Sequence, residues 1–387
     1  MRWTLGLVVG LGLAYLVLAP TGHYLVRAAV AEGKILAHRR QIAAIIDDST
    51  TKPRVAAKLR LVLAARAFAT DSIGLRAKQS FTTFSQLERD TLVLVLSGAY
   101  RDRLASYTWW FPVVGRVPYK GFFDFSAARD AARKLEADGF DVYLRPSPAF
   151  STLGWFNDPL LSTSLGADSL DLANTVIHEL THNTFYAPGQ AVFNESFANF
   201  VGARGSAWFF RAHGLPAAAD QADARWSDEK VLARFWAGLY HRVDSAFKAH
   251  PNDSTARLVA RDTLYARARR ELVDMVGPQL KTISRRGLER VRLDNAALLA
   301  HRIYSTDLDL FDEVWAANGG DLRRAVRAII AAAQRKPKDP FGGLRAKITN
   351  GGMTNGGITN GGNDVVRNDD GRQTAKITKI GDDNHRE

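Results

Sequence analysis

The chain of 387 residues contains no cysteine. This absence excludes disulfide bonds, thiolate metal sites, cysteine nucleophiles and an anchor attached through a lipidated cysteine. Any metal ion must therefore be held by nitrogen and oxygen ligands. The length and the hydrophobic fraction of 46% are typical of a globular protein with a substantial core, in one large domain with lobes or in two smaller domains.

Signatures of nucleic-acid-binding modules are also missing. The chain carries 52 Lys and Arg against 40 Asp and Glu, and the resulting formal charge of +12 favours anionic partners. However, we recognise no zinc knuckle, RNP-type aromatic strand or helix-turn-helix, and the arginine-rich stretches at 266–271 and 284–292 are typical of solvated helix faces. We therefore predict that the protein has no nucleic-acid partner.

The start of the chain, MRWTLGLVVGLGLAYLVLAP, contains an uncharged and mostly apolar run of 17 residues from 4 to 20. This length is the lower limit for a helix that crosses a bilayer and slightly long for the core of a signal peptide. We favour an uncleaved signal anchor over residues 1–21, with a cleaved signal peptide as the alternative. We therefore expect a protein that is anchored in the inner membrane, with its folded domain in the periplasm or outside the cell.

Apolar periodicity along the chain predicts helices, then a small sheet, then helices again. Helical spacing recurs at 21–63, with a break near Pro53, and at 126–140, 254–280 and 321–334. Three stretches are predicted to be extended from their apolar or aromatic, β-branched character: 90–100, 106–119 and 141–150. This order predicts an α+β fold that is mainly helical, with a small mixed β-sheet before the motif helix described below.

Two boundary features complete this outline. In the helix predicted at 126–140, Ser126 is a plausible N-cap and Gly139 closes the helix. The character of the chain changes from Pro337: Thr-Asn-Gly-Gly repeats with a period of five at 348–362, and the remainder is polar, so this segment offers little apolar surface to bury. We therefore divide the chain into an anchor at 1–21, a folded domain at 22–336 and a disordered tail at 337–387.

The stretch VIHELTHNTFY, at 176–186, places His178 and His182 four residues apart with Glu179 beside the first. Residues at this spacing lie on one face of a helix, so both imidazoles can point at one ion. Glu179 is rotated by about 100° from His178, so it can act on a bound water without ligating the ion. Because such a motif also arises by chance, the identity of a third ligand is decisive.

A catalytic zinc ion needs three protein ligands and an open position for water or substrate. Downstream, VFNESFANFVGARG begins a second predicted helix near Asn194, with Glu195 in its first turn. A turn at Pro188 and Gly189 can bring this helix back against the first, so that Glu195 completes a His/His/Glu set. Asn199, one turn later, is a candidate to hydrogen-bond a ligating histidine, with a solvent-exposed polar role as the alternative.

The segments HELTH and NESFA together resemble the gluzincin metallopeptidases. In addition, WWFPVVGRVPYKGFFD, STLGWFNDPLLST, HELTHNTFY and FNESFANFVG occur in the order that is typical of a family of bacterial envelope proteins described as zinc aminopeptidases, over roughly residues 21–334. The resemblance implies a gluzincin-like catalytic core with Zn²⁺ held by His178, His182 and Glu195. It also implies that Glu179 is the general base and later the general acid.

The spacing from His182 to Glu195 is shorter than in the best-known gluzincin aminopeptidases, so their substrate-binding residues cannot be transferred to this chain. From the chemistry of such sites we select Tyr304 as the oxyanion donor, with Tyr186 and His301 as alternatives. A packed structural role is open for each of the three.

The stretch STLGWFNDP, at 151–159, can form an edge strand that pairs with an extended peptide, with Gly154 in its middle. Asp158 is a candidate to bind the free ammonium group of a substrate, with a turn carboxylate before Pro159 as the simpler alternative.

The sequence thus predicts a membrane-anchored zinc peptidase that acts on peptides, with removal of N-terminal residues as the leading hypothesis. A zinc endopeptidase that uses the same ligands is the first alternative. The second is a non-catalytic envelope protein that binds peptides, although a binding protein has no need for Glu179. Residue preference and oligomeric state are not predicted.

Overall fold

The computed structural model describes residues 20–87, 91–111, 115–147 and 159–352. The fold is α+β and mainly helical, as predicted from the order of the apolar patterns. Its helices are α1 Pro20–Ala37, α2 Ile42–Asp47, α3 Pro53–Phe68, α4 Phe125–Ala137, α5 Ser169–Thr184, α6 Ala191–Ala212, α7 Pro216–Ala249, α8 Ser254–Arg270, α9 Arg285–Glu289, α10 Asn295–Tyr304, α11 Leu308–Ala317, α12 Leu322–Arg335 and α13 Pro340–Gly352. Its strands are β1 Arg40–Gln41, β2 Thr83–Ser85, β3 Val93–Ala99, β4 Trp109–Phe111, β5 Gly115–Val117, β6 Tyr119–Phe122, β7 Asp141–Ser147 and β8 Leu160–Leu161.

The strands form three small sheets that all begin before the motif helix. In the largest pairing, β3 lies between β6 and β7 and is antiparallel to both, so that Leu96 faces Lys120 on one side and Leu144 on the other. A mixed sheet has the order β1-β2-β8, with β2 antiparallel to β1 and parallel to β8. A short antiparallel pair is formed by β4 and β5. Helix α4 covers the β3 sheet through an apolar cluster that includes Leu96, Leu135 and Val142.

The main hydrophobic core lies between the two motif helices and the helices around them. Phe193, Phe197 and Phe200 project from one face of α6 at helical spacing and pack with Phe311 of α11. All four rings are fully buried, so they remove a large apolar area from water and fix α6 in place. Both motif helices therefore contribute buried side chains to the main hydrophobic core.

Two predicted boundaries are corrected by local hydrogen bonding. The N-cap of α4 is Asp124 and not Ser126, because the Asp124 carboxylate accepts from the backbone N–H groups of Ser126 and Ala127. Gly139 follows the end of this helix with a φ of +86°, which suits glycine, as predicted. The helical stretch at 21–63 is interrupted not only before Pro53 but also at Arg40–Gln41, which pair with β2.

The packed part of the chain continues beyond residue 336. Within the segment predicted as a tail, α13 places Leu344 in the main core with no exposed surface and packs Phe341 against Phe193 and Phe311. These apolar side chains precede the Thr-Asn-Gly-Gly repeat, which explains why the start of the segment folds. Residues 353–387 lie outside the described residues.

The apolar run predicted as a membrane anchor lies outside the described residues up to position 19. Among the helices that the structure describes, none combines the length and apolarity required to span a bilayer.

Candidate metal centre

Helix α5 carries the HELTH motif and begins with a well-made cap. Asp168 accepts from the backbone N–H of Asp171 at 2.8 Å, as expected for the N-cap of this helix. Arg225 of α7 donates to both carboxylates, which ties α7 to the first turn of α5. The helix ends at Thr184, before Pro188 and Gly189 turn the chain. These ion pairs therefore hold the start of α5 against α7, a helix that is distant in the sequence.

Helix α6 runs back along α5 after a short turn that Asn194 holds. The Asn194 side chain accepts from the backbone N–H of Ala187 at 2.9 Å and donates to the Ala187 carbonyl at 2.8 Å. Because α6 already begins at Ala191, Glu195 is its fifth residue and lies in the second turn, not in the first turn as predicted. The Glu195 side chain therefore lies beside His178 and His182 of α5.

Glycines allow α5 and α6 to approach closely beside the motif. A Cβ atom added to Gly202 would lie 3.2 Å from the Cβ of His178 and would overlap the Asn174 side chain. One turn later, a Cβ atom at Gly205 would lie 2.9 Å from Ile177. A Cβ atom at Gly202 would have to displace Asn174, and one at Gly205 would crowd Ile177, so the lack of a side chain at these two positions allows α6 to approach α5 closely.

His178, His182 and Glu195 converge on a single point. The two Nε2 atoms lie 3.2 Å apart, and the Glu195 carboxylate oxygen lies 3.4 Å from Nε2 of His178 and 3.6 Å from Nε2 of His182. All three side chains are largely buried. In the part of the chain that the structure describes, this is the one group of three or more His, Asp or Glu side chains that could hold a metal ion.

The three side chains perturb one another's protonation. Burial lowers the pKa of His178, but its hydrogen bond to Glu195 and the charges of Glu179 and Glu195 outweigh burial, so the pKa is raised. Burial raises the pKa of Glu195, but hydrogen bonds from His178 and His182 overcome this effect and lower the pKa to about 2. The geometry thus presents an ionised carboxylate beside two imidazoles, which is a suitable donor set for a divalent metal ion.

Tyr304 lies at the end of α10, within the electrostatic reach of Glu179 and Glu195. Arg145 of β7 donates from Nη2 to the Tyr304 hydroxyl oxygen at 3.2 Å. Because a guanidinium has no acceptor, the tyrosine oxygen must accept this bond, and its own O–H stays available to donate elsewhere. Burial and the charge of Glu195 raise the pKa of Tyr304, which keeps the hydroxyl protonated.

Asn199 supports Tyr304 and not a histidine. Its Nδ2 donates to the Tyr304 carbonyl oxygen at 2.8 Å, whereas the predicted bond from Asn199 to His178 or His182 does not occur among the contacts of the described residues. The reason is that α10 packs directly against α6, so the free carbonyl at the end of α10 is the nearer acceptor. Asn199 thus ties Tyr304 to the helix that carries Glu195.

The remaining predicted site residues are Tyr186, His301, Gly154 and Asp158. Tyr186 is 39% exposed. His301 stacks on Trp236, with ring centroids 4.3 Å apart and planes inclined by 9°, and burial together with the charge of Arg145 lowers its pKa to about 4. His301 is therefore a neutral, packed side chain near pH 7, in agreement with the structural alternative. Gly154 and Asp158 lie outside the described residues.

Three residues near the centre carried no recognisable signal in the sequence. Arg145 contacts Tyr304, and Tyr119 on β6 is coupled electrostatically to Tyr304, Glu195 and Arg145. Glu229 on α7 is coupled electrostatically to His178. They lie on β7, β6 and α7, far from the motif in sequence, so no short spacing pattern identifies them. An isolated strand arginine or helix glutamate is normally read as a surface residue.

Comparison with known proteins identifies the family. A family model described as "Putative aminopeptidase" matches residues 23–340. No curated protein and no solved structure matches the chain significantly. Because the family model covers most of the chain, the expected relationship to aminopeptidases is confirmed at this level. The chain belongs to the putative aminopeptidase family.

Proposed function

We propose that this protein is a zinc-dependent aminopeptidase of the gluzincin type that removes N-terminal residues from peptides. The family supports peptide hydrolysis in general. The observation that carries the finer proposal is the convergence of His178, His182 and Glu195 beside Glu179. A protein that only binds peptides needs no such combination of three metal-binding side chains and an adjacent carboxylate.

The donor set fits zinc. In a tetrahedral site with metal–ligand bonds of about 2.0–2.2 Å, the ligand atoms lie about 3.3–3.6 Å from one another. The three separations between His178, His182 and Glu195 are 3.2, 3.4 and 3.6 Å. Two imidazole nitrogens and one carboxylate oxygen are also a known ligand set for catalytic zinc, and they leave one position open for water or substrate.

A bound zinc ion supplies Lewis acidity, which lowers the pKa of a water molecule and polarises the scissile carbonyl group. Glu179, one residue after His178, takes a proton from the attacking water and delivers it to the departing amine. The Tyr304 hydroxyl donates to the oxygen that becomes negatively charged as the carbonyl carbon is attacked. Arg145 adds positive charge beside that hydroxyl and donates to its oxygen, which leaves the Tyr304 proton free to be donated to the substrate.

The proposed cellular location rests on the sequence. The uncharged apolar run at 4–20 supports an anchor in the inner membrane, with the peptidase domain in the periplasm or outside the cell. Fractionation of cells that express the full chain tests this location: we expect the protein in the membrane pellet after an alkaline carbonate wash. Release of the intact chain into the wash would contradict the anchor.

Digestion of a mixed peptide library by the full, zinc-loaded chain tests the function, with products identified by mass spectrometry. The Glu179→Gln variant is the matched control, because it keeps the size of the side chain and the three metal ligands. We expect stepwise loss of N-terminal residues with the wild type alone. Internal cuts would favour a zinc endopeptidase. A folded, zinc-bound protein without Glu179-dependent cleavage would contradict the proposal and favour a peptide-binding protein.

A further inference from the structure

A second cleft, with a volume of about 530 Å³, lies behind the metal centre. Helix α6 contributes Arg204, Trp208 and Arg211 to its wall, at spacings that place them on one face of the helix. Arg204 follows Glu195 by nine residues, which at about 100° per residue is two and a half turns, so this face of α6 points away from the metal ligands. The other walls are Ser72 in the turn after α3, Trp315 of α11 and the start of α12.

Two buried hydrogen-bond donors in these walls have no acceptor. In the described part of the chain, three buried side-chain donors lack a partner, and two of them are Nε of Arg323 and Nε1 of Trp315. Both residues line this one cleft. A buried donor without an acceptor costs about 1–3 kcal/mol, and native proteins leave few donors in that state. Their occurrence together indicates a place where a ligand supplies the acceptors.

Arg323 is the cation of the cleft that remains available to a ligand. Arg204 and Arg211 share Asp223, with Nη atoms 2.9 and 3.1 Å from its two carboxylate oxygens. By contrast, the Arg323 side chain forms no hydrogen bond or ion pair with any residue that the structure describes. Its guanidinium lies against Gly74, where an added Cβ atom would stand 2.9 Å from Nε. The absence of a side chain at Gly74 therefore leaves the room that the guanidinium occupies.

The balance of charge in the cleft suits an anion with a single charge. Because Arg204 and Arg211 are paired with carboxylates, the positive end of the cleft is Arg323 together with the first turn of α12, whose first N–H groups have no partner within the helix. Asp223 and Asp321 also line the cleft and would repel a doubly charged phosphate group. A carboxylate carries one charge, and its two oxygens match the planar fork of a guanidinium.

The walls beside this positive end suit an apolar group. Trp208 keeps 37% of its surface exposed, although its ring packs edge-on against Phe68 at 5.0 Å. Trp315 is held in place by the Arg204 guanidinium, which lies 4.3 Å from its ring centroid. Small-molecule sites are lined mainly by apolar and aromatic side chains, with a few polar groups that orient the ligand. Two tryptophans beside one free arginine are such a combination.

We propose that this cleft binds a small carboxylate with an aromatic or aliphatic body. Arg323 binds the carboxylate, and Trp208 and Trp315 pack against the body. The site lies on the face of α6 opposite to Glu195, so it is separate from the metal centre and does not rest on the proposed peptidase function.

Calorimetric titration of the full, zinc-loaded chain tests the site, with 3-phenylpropionate and its uncharged amide as matched probes. A charge-assisted hydrogen bond corresponds to a preference of about 10- to 100-fold for the carboxylate. Arg323→Gln should remove this preference by weakening the binding of the carboxylate alone. The matched control is Arg327→Gln, which changes an exposed arginine one turn further along α12 that does not line the cleft, and it should leave the preference unchanged.

Further variants separate the two halves of the site from effects on folding. Trp208→Ala should weaken the binding of both probes to a similar extent and preserve the preference for the carboxylate. Arg323→Lys, which retains the charge, should keep part of the preference, and thermal unfolding verifies that each variant is folded. A carboxylate bound to the zinc ion instead would bind equally well to the Arg323→Gln chain.

Three results would overturn the assignment: no saturable binding of 3-phenylpropionate, equal affinities of the wild type for the two probes, and a preference that survives Arg323→Gln. An N-acetylated peptide that ends in phenylalanine carries the same ring and carboxylate on a longer chain. Equal or weaker binding of this peptide supports a small-molecule ligand. Tighter binding that is lost when its C-terminus is amidated would overturn that assignment and identify the cleft as a site for a peptide C-terminus.

Discussion

Gly202 lies against His178, with space for a hydrogen atom and not for a side chain between α6 and α5. A Cβ atom at position 202 would stand 3.2 Å from the Cβ of His178 and would overlap the side chain of Asn174. The distance between the two helices that carry the proposed metal ligands thus depends on a residue that is not itself a ligand. His178 and Glu195 come within 3.4 Å of each other because α6 can approach α5 at this point.

Gly202→Ala should therefore weaken metal binding as well as the fold. Overpacking at a helix crossing costs about 1–3 kcal/mol, and displacement of the donors should lower zinc affinity by about tenfold or more. Gly205→Ala is the matched control: its Cβ would meet the flexible ends of Ile177 and Ile73, so we expect lower stability with a smaller loss of zinc affinity. Unfolding curves and competitive zinc titration measure both effects. Equal zinc affinities in the two variants would contradict a role of Gly202 in positioning His178.

Tyr304→Phe should slow hydrolysis with little effect on substrate binding. The variant retains the ring and removes the hydroxyl that Arg145 holds in place. Loss of one oxyanion donor lowers kcat by about 10²- to 10³-fold, whereas KM should change little, because the bond strengthens only as negative charge develops. Tyr186→Phe removes a hydroxyl from a more exposed ring and should leave kcat near the wild-type value. A normal kcat for Tyr304→Phe would remove Tyr304 from the mechanism.

Asp312→Ala should destabilise the helices behind the metal centre. Asp312 accepts from Nε and Nη2 of Arg204 at 2.9 and 2.8 Å and also from Trp226 and Lys230, so that α6, α7 and α11 meet at one largely buried carboxylate. Removal of this carboxylate leaves Trp226 without its acceptor and leaves Arg204 and Lys230 with only their contacts to Asp223 and Asp309, so it should cost about 1–3 kcal/mol.

A nearby exposed pair provides the comparison. Asp309 bonds Arg234 at 2.7 Å, but both side chains are about half exposed, so Asp309→Ala should change stability by less than about 1 kcal/mol. Denaturant unfolding of the two variants at the same pH measures the difference. Equal losses of unfolding free energy in Asp312→Ala and Asp309→Ala would show that burial does not determine how much the Asp312 cluster contributes to stability.

Glu229→Gln should stabilise the metal-free chain at high pH and not at low pH. Desolvation raises the pKa of Glu229 to about 7 in the folded state, above the ordinary value of 4.5. The folded chain therefore holds the proton more tightly than the unfolded chain, so stability falls as the pH rises from about 4.5 to 7. Glutamine does not titrate and escapes this loss.

Unfolding temperatures at pH 4.5 and pH 8 provide the measurement, with chelator present throughout. We expect the unfolding temperature of Glu229→Gln, relative to that of the wild type, to be higher at pH 8 than at pH 4.5. The unfolding temperature of Glu313→Gln, a change at an exposed site on α11, should match that of the wild type at both pH values. A constant difference between Glu229→Gln and the wild type would mean that Glu229 is fully hydrated.

The sequence predicted the parts of the centre whose geometry is local. The four-residue spacing of His178 and His182 fixes their common face as soon as α5 forms. Glu195 was also accessible to prediction, because a short turn must return α6 along α5. Its position in the helix was missed by one turn, since the N-terminus of α6 is set by the bonds of Asn194 to Ala187.

The remaining parts are products of tertiary packing. Arg145 reaches Tyr304 from a strand 159 residues earlier, and the charge of Glu229 acts on His178 from α7, a helix that Arg225 ties to the start of α5. No periodicity encodes such distances. The preference for Asp124 over Ser126 as the N-cap of α4 is different, because both residues can cap a helix and only the backbone geometry decides between them.

The central claim is that His178, His182 and Glu195 hold one zinc ion that is required for peptide hydrolysis. The most direct measurement strips the full chain with a chelator and follows hydrolysis while zinc is added back. We predict that activity rises linearly and levels off at one equivalent of zinc, and that Glu195→Gln neither binds the ion tightly nor recovers activity. Hydrolysis that survives complete removal of metal, or that returns undiminished in the Glu195→Gln chain, would contradict the account.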